Sequence, residues 1–304
     1  MSLVRGPITV RVPATSANLG PGFDCLGLAL DLYDEVVVSA GDPADGDAVE
    51  VTVTGEGAGA VPTDASHLVV RAVHRALDEL GERHPPVALS CTNRIPHGRG
   101  LGSSAAAVVA GLLAGRALVA DGADRLDDDD LLGLAAAMEG HPDNAAAALL
   151  GGLTLAWSQD GSVRAVRLDP RPEVRATVLV PEVQLSTETA RGLLPATVPH
   201  ADAALTAGRA ALLVAALTAV PAVTGVLLAA TEDRLHQAQR GPVMPATAAL
   251  VTRLRAMGRA AVVSGAGPTV LVLDEGEPAP LEAPPGWRVL SLAVAEHGAT
   301  ASRS

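Results

Sequence analysis

From Ile95 to Ala106 the chain reads Ile-Pro-His-Gly-Arg-Gly-Leu-Gly-Ser-Ser-Ala-Ala, and these residue types suit phosphate binding. Gly98, Gly100 and Gly102 alternate with larger residues and let the backbone approach a ligand closely. Ser103 is placed to cap the apolar helix that follows, and a helix start offers unpaired N–H donors at the positive end of its dipole. Two other readings compete. One is an ordinary glycine loop before an Ala-rich helix. The other is a dinucleotide loop, but that pattern is G-x-G-x-x-G directly after a strand. Here the spacing is G-x-G-x-G, Arg94 to His97 intervene, and the nearest suitable acid, Asp121, follows a helix. The acidic run Asp127 to Asp130 could hold a metal, yet it also suits a helix start, where carboxylates meet the positive dipole end.

Composition removes several chemistries. All 22 basic residues are arginine. Without lysine there is no P-loop of the G-x-x-x-x-G-K-[ST] kind and no lysine Schiff base. Phe23, Tyr33, Trp157 and Trp287 are the only aromatics, so stacking of nucleic-acid bases is disfavoured. The net charge of −12 argues against phosphate-backbone binding as well. Cys25 and Cys91 are too few for a disulfide framework or a zinc site. The start, Met1 to Pro7, lacks the apolar run of a signal peptide, which leads us to expect a cytoplasmic protein. Residues 210–231 carry no charge, but Pro221 and Gly225 divide them into halves suited to core helices, not a membrane span.

Strands are expected at Ile8–Val12, Tyr33–Ala40, Val49–Gly55 and Val87–Thr92, with a Gly/Pro/Asn-rich loop over Thr15–Gly22. Helical spacing covers Ser66–Leu80, Ser103 to about Val119, and a segment ending at Met138 or Glu139. A hairpin turns at Asp160-Gly161, and Asp169–Glu173, with two prolines, is the best linker. Beyond it come a strand at Thr177–Val180, helices through most of Glu188–Met257, and strands at Ala260–Val263, Thr269–Leu273 and Arg288–Val294. Strands and helices mixed without strict alternation indicate an α+β protein with two domains, 1–170 and 171–304.

The twelve-residue block Ile95–Ala106 resembles, position for position, the phosphate loop of the GHMP kinases. Val12-Pro-Ala-Thr-Ser-Ala-Asn-Leu-Gly-Pro-Gly-Phe-Asp24 and Val263-Ser-Gly-Ala-Gly-Pro-Thr269 stand where that superfamily has its other motifs. The first of these, with Glu139-Gly-His-Pro-Asp-Asn144 and Ser186-Thr-x-x-Ala-Arg-x-x-Leu-Pro195, is similar to the homoserine kinases within it. The resemblance spans essentially the whole chain. It implies the GHMP kinase fold, with an N-terminal ATP-binding domain and a ferredoxin-like C-terminal domain. It also implies phosphorylation of L-homoserine by ATP with Mg²⁺ in threonine biosynthesis and allows a homodimer, while charge, aromatics and segment lengths already lead us to expect no nucleic-acid or membrane partner.

The same resemblance assigns roles. Pro96, His97, Gly98, Arg99, Gly100, Leu101, Gly102, Ser103, Ser104, Ala105 and Ala106 would hold the nucleotide. Ser104 and Glu139 would ligate Mg²⁺, a donor set that suits an ion preferring few carboxylates plus phosphate and water. Asn18, Asp24, Asp143, Arg191, Arg240 and Gly265 would bind the substrate, the two arginines taking its carboxylate. Asn144, His141 and Arg191 are the expected catalytic group. Asn144 is expected to orient the hydroxyl without a strong base, since phosphoryl transfer relies mainly on positioning and charge stabilisation. His141 as general base is the alternative. Arg99 is a candidate for stabilising transferred charge. Two departures stand out: His236-Gln-Ala-Gln-Arg240 replaces the usual His-Gln-Pro-Tyr-Arg, and His67 stands where the family often has Asn.

Overall fold

The computed structural model describes residues 3, 4, 6–42, 44, 46–277 and 280–303. Its first half contains β1 (Ile8–Asn18), β2 (Gly22–Ala40), β3 (Val49–Gly55), α1 (Leu68–Glu79), β4 (Val87–Asn93), α2 (Ser103–Ala117), α3 (Gly122–Arg125), α4 (Asp128–Glu139), α5 (Asp143–Leu150), β5 (Leu153–Gln159) and β6 (Ser162–Leu168). The second half contains β7 (Val174–Pro181), α6 (Thr187–Arg191), α7 (His200–Thr218), α8 (Leu227–Ala230), α9 (Gln237–Arg240), α10 (Pro245–Ala256), β8 (Ala260–Val263), β9 (Val270–Glu275), β10 (Trp287–Leu292) and β11 (Thr300–Arg303).

β1 and β2 form an antiparallel pair running from Ile8 opposite Val38 to Asn18 opposite Gly22. The expected loop at Thr15–Gly22 is therefore mostly strand, with only residues 19–21 turning. Its Thr and Ser residues pair in the ladder and point into the protein, which composition alone hides. Register slips at Pro13/Ala14, where proline lacks a donor N–H. β2 continues onto β4 and β5, and β3 joins β4 in parallel. The other edge is closed by β11 against β1, so the end of the chain returns to the first sheet, a strand that the periodicity did not reveal.

α2 is apolar all round and buried, and Gly111 and Gly115 let it approach α1. A Cβ on Gly111 would lie 2.4 Å from the Val69 carbonyl oxygen and 2.5 Å from the Ala72 Cβ. α4 begins as its acidic run predicts: Asp127 accepts the Asp130 N–H, and Asp130 accepts the Asp127 N–H. α2 does not begin as predicted. Its cap is Gly102 in the left-handed region, and no side chain caps it. Ser103 is already helical, so the first N–H groups of α2 stay open to a ligand.

The second sheet runs β10-β7-β9-β8, all antiparallel. In chain order this is the 4-1-3-2 arrangement of a ferredoxin-like layer. Alternation along β7 turns Val178 and Val180 toward the main core, which they share with Val12 and Leu28 of the first sheet. Leu179 faces the other way, onto Leu250 and Leu254 of α10. The linker Asp169–Glu173 is anchored: Arg171 is buried, donates to the Ala216 carbonyl and pairs with Glu275. Proline and glycine do interrupt the uncharged segment, since α7 ends at Thr218 and α8 starts at Leu227. By length and composition α7 could cross a membrane; it buries Leu213, Ala216 and Leu217 but leaves most of its length outside the core, unlike the core helix expected there.

Candidate active site

Three blocks far apart in sequence are tied together at the mouth of the first sheet. Ser264 Oγ bonds to the Gly100 carbonyl oxygen at 2.6 Å and to Ser16 Oγ at 2.8 Å. The Gly265 N–H donates to the Ala17 carbonyl, and the Thr269 N–H to the Arg99 carbonyl. A Cβ on Gly100 would lie 2.3 Å from the Ser264 carbonyl oxygen, so only glycine fits there at its φ of +78°. Asp34 of β2 accepts the N–H groups of Arg94 and Ile95, where the chain leaves β4 for the glycine loop. Burial pushes its carboxyl up, and those two donors oppose the shift.

The cleft between the blocks encloses about 150 Å³. Its walls bring together Asn18, Asp24, Glu139, His141, Asp143, Asn144, Arg191, Arg240 and Gly265 with Gly98, Gly100, Gly102, Ser103 and Ser104. Ser103 and Ser104 also line a second cavity of about 270 Å³, mostly apolar, with His67, Asn93 and His97 at its wall. Ala106 borders that second cavity, whereas Pro96, Arg99, Leu101 and Ala105 border neither. Arg99 is turned away from the cleft. Its guanidinium donates to the carbonyl oxygens of Pro181, Glu182 and His97, fastening the glycine loop to the end of β7.

Backbone strain gathers on the substrate side. Asn18, Leu19 and Asp24 have positive φ although none is glycine. Asn18 compensates by donating to the Gly265 carbonyl at 2.9 Å and accepting the Asp24 N–H at 3.0 Å. Asp24 pairs bidentately with Arg191, at 2.7 and 2.8 Å. Arg240 behaves differently. Its guanidinium is almost wholly buried, donates to the Gly265 carbonyl and to His236 Nδ1, and leaves Nε without a partner. Among the described residues no carboxylate lies within ion-pair distance of it. Burial, then the Arg191 charge, push its pKa down. Phe23 sits between the two cations, with Arg191 5.6 Å and Arg240 5.5 Å from its ring centre. It lies within the N-terminal motif block, but the sequence reading assigned it no role of its own.

At the other wall, His141 Nδ1 lies 2.7 Å from Asp143 Oδ1, and that hydrogen bond raises the imidazole pKa. Asp143 also accepts the Asn144 N–H, while Thr15 Oγ1 donates to Asn144 Oδ1 at 2.8 Å. Thr15 is fully buried and escaped the sequence reading, which treated its neighbourhood as a loop. Ser104 Oγ donates to Glu139 Oε1 at 2.6 Å, and burial raises the Glu139 pKa. No cluster of three or more His, Cys, Asp or Glu side chains suited to a metal occurs among the described residues. A hydroxyl and one half-buried carboxylate beside a phosphate loop nevertheless fit a hard cation that keeps water and phosphate oxygens in its shell.

Known proteins match this arrangement. The GHMP kinases N terminal domain profile matches residues 67–152, and the GHMP kinases C terminal profile matches residues 221–283. The chain is 53% identical over 296 residues to the homoserine kinase of Streptomyces coelicolor, covering 96% of this chain and 94% of that one. It belongs to the homoserine kinase family of GHMP kinases. The homoserine kinase of Rhodococcus erythropolis is 50% identical over 303 residues, covering 95% of this chain and 94% of that one. The crystal structure of homoserine kinase from Cytophaga hutchinsonii superposes with a TM-score of 0.82 at 27% identity, covering 99% of both chains. The GHMP kinase fold expected from the motifs is thus present. As a GHMP kinase, the protein takes ATP as its phosphoryl donor.

Proposed function

We propose that this GHMP kinase transfers the γ-phosphoryl group of ATP to the side-chain hydroxyl of L-homoserine, in the cytoplasm, as a step of threonine biosynthesis. The observation that carries the substrate is the pairing of charges in the small cleft. Arg240 is a buried cation without an acid, and Asp24 and Arg191 are an acid and a cation satisfied only by each other. A zwitterion suits both. Its carboxylate completes Arg240 and Arg191, and its ammonium replaces Arg191 on Asp24 within reach of Asn18. A sugar or an isoprenoid alcohol does not offer a carboxylate and an ammonium together, and about 150 Å³ is well below the volume of a drug-sized pocket.

ATP would place its base in the apolar second cavity and its phosphates along the glycine loop, toward the uncapped start of α2. His67 Nδ1 accepts the Val69 N–H, and burial keeps its imidazole neutral, so Nε2 carries the proton and is a donor for a ring nitrogen of the base. Ser104 and Glu139 would hold Mg²⁺, which supplies charge neutralisation on the transferred phosphoryl group. Asn144 would orient the homoserine hydroxyl with its amide N–H. The proton then leaves late, toward the phosphate. His141 is not needed as the general base in this reading, and the Asp143 hydrogen bond favours its protonated form, which has no free lone pair to take a proton. The test is ADP release with Mg²⁺-ATP and a panel of L-homoserine, D-homoserine, L-serine, L-threonine, mevalonate and galactose. Turnover confined to L-homoserine is expected. Turnover of mevalonate or galactose alone would refute the substrate assignment.

A further inference from the structure

Resting on the reading of Asn144 as the residue that orients the acceptor hydroxyl, we propose that Thr15 is a positioning residue: it sets the direction of the Asn144 amide and ties it to the phosphate loop. The Thr15 side chain is fully buried in β1 and does not border the cleft. Its hydroxyl meets Asn144 across 129 residues of sequence. An amide has an acceptor end and a donor end, and reversing it exchanges the two. With Thr15 as donor, Oδ1 is held inside the protein. The NH₂ end is left toward Asp143, whose carboxylate is 3.5 Å away, and it keeps donor capacity for a substrate oxygen.

The backbone of the same residue holds the nucleotide side. The Thr15 N–H donates to the Leu101 carbonyl at 3.1 Å. Gly102 packs directly over the hydroxyl: a Cβ there would lie 1.9 Å from Thr15 Oγ1 and 3.1 Å from Asn144 Oδ1. One threonine therefore joins the loop that holds the phosphates to the amide that faces the acceptor. In-line transfer depends on that relative placement.

The test uses the full chain with Thr15→Val, Thr15→Ser, Asn144→Ala and the Thr15→Val/Asn144→Ala double variant. Thr15→Val keeps the shape and removes the donor. We expect it to lower kcat about 10- to 100-fold, the kinetic equivalent of one unsatisfied buried polar group, with KM for ATP changed less than about threefold. Thr15→Ser restores kcat, and the Thr15→Val effect disappears in the Asn144→Ala background. Unchanged kcat in Thr15→Val, equal losses in Ser and Val, or losses that multiply in the double variant would each overturn the proposal. If Thr15→Val fails to fold, Thr15→Ala makes the same comparison. The side-chain NH₂ resonances of Asn144, assigned by their loss in Asn144→Ala, give a readout that needs no turnover. They move or broaden in Thr15→Val and return in Thr15→Ser, and if they stay unmoved the proposal fails. A wild-type chain inactive on homoserine would instead count against the substrate assignment, leaving the amide resonances to decide the role of Thr15.

Discussion

Arg240 offers a test in which stability and activity should move in opposite directions. Replacing it with methionine keeps most of the aliphatic bulk and removes a buried cation. The Gly265 carbonyl would still accept from Asn18 Nδ2, so it loses nothing essential. His236 Nδ1 would lose its donor, because its Nε2 already donates to the Gly20 carbonyl. One orphaned acceptor costs about 1–3 kcal/mol. Against this stands the relief of a desolvated guanidinium with no carboxylate at ion-pair distance, which is worth several kcal/mol. The balance lies at or above zero, so Arg240→Met should melt no more than about 2 °C below wild type and could melt above it. Catalysis should suffer. Charge-assisted bonds to a substrate carboxylate contribute about 1.5–3 kcal/mol, so kcat/KM for homoserine should fall roughly 10- to 150-fold. A melting scan paired with steady-state kinetics checks both. A variant that melts several degrees lower yet keeps its kcat/KM would show that Arg240 serves the fold, and the carboxylate argument would collapse.

Three further outcomes follow from the same geometry. Asp24→Asn breaks a half-exposed ion pair worth about 0–1 kcal/mol, so stability should barely change. Calorimetric titration should nonetheless show homoserine binding weakened about tenfold or more, since its ammonium loses the carboxylate. Gly100→Ala forces a Cβ onto the Ser264 carbonyl in a left-handed backbone and should cost at least about 2 kcal/mol in urea unfolding, whereas Gly133→Ala, where a Cβ meets nothing, should not. The third concerns His141, whose folded pKa is raised above 6.5 by Asp143. Its contribution to stability is present in full below pH 6.5 and is lost as pH rises through the raised value. An NMR titration of the ring should show the elevated midpoint in wild type and its fall toward the ordinary value in Asp143→Asn.

How much of this was legible beforehand depended on whether function sat in local pattern or in tertiary contact. The glycine loop, the acidic start of α4 and the helices announced themselves through spacing and capping chemistry, because those features are local. Thr15 and Ser16 did not, since a Ser/Thr-rich stretch reads as loop until a partner strand pairs with it. β11 was missed for a related reason: four exposed residues, Thr300–Arg303, have no apolar alternation and exist as strand only against β1. Arg99 looked like a charge stabiliser by position. Its direction is set by carbonyls at the end of β7, some 80 residues later, which no local pattern encodes. The same limit applied to Arg191 and Arg240. They look alike in sequence, yet one is paired with Asp24 and half-exposed while the other is buried without an acid.

A site without lysine, in which the proposed partner of the acceptor hydroxyl is the Asn144 amide, relies mainly on placement. The hydrogen bonds follow that logic. Several that cross between blocks run through buried hydroxyls, side-chain amides and main-chain groups: Ser264 to Ser16 and Gly100, Thr15 to Leu101 and Asn144, Gly265 to Ala17 and Asn18. None of these depends on a titrating side chain, in contrast to the bond from Ser104 to the Glu139 carboxylate. The unsatisfied and strained groups lie on the substrate side instead, at Asn18, Asp24 and the Nε of Arg240. On the proposed reading, a ligand that supplies a carboxylate and an ammonium there relieves what the fold leaves incomplete, at the point where the loop, Asn144 and the start of α2 converge. Selectivity and positioning then come from the same contacts, with no strong base required for the transfer.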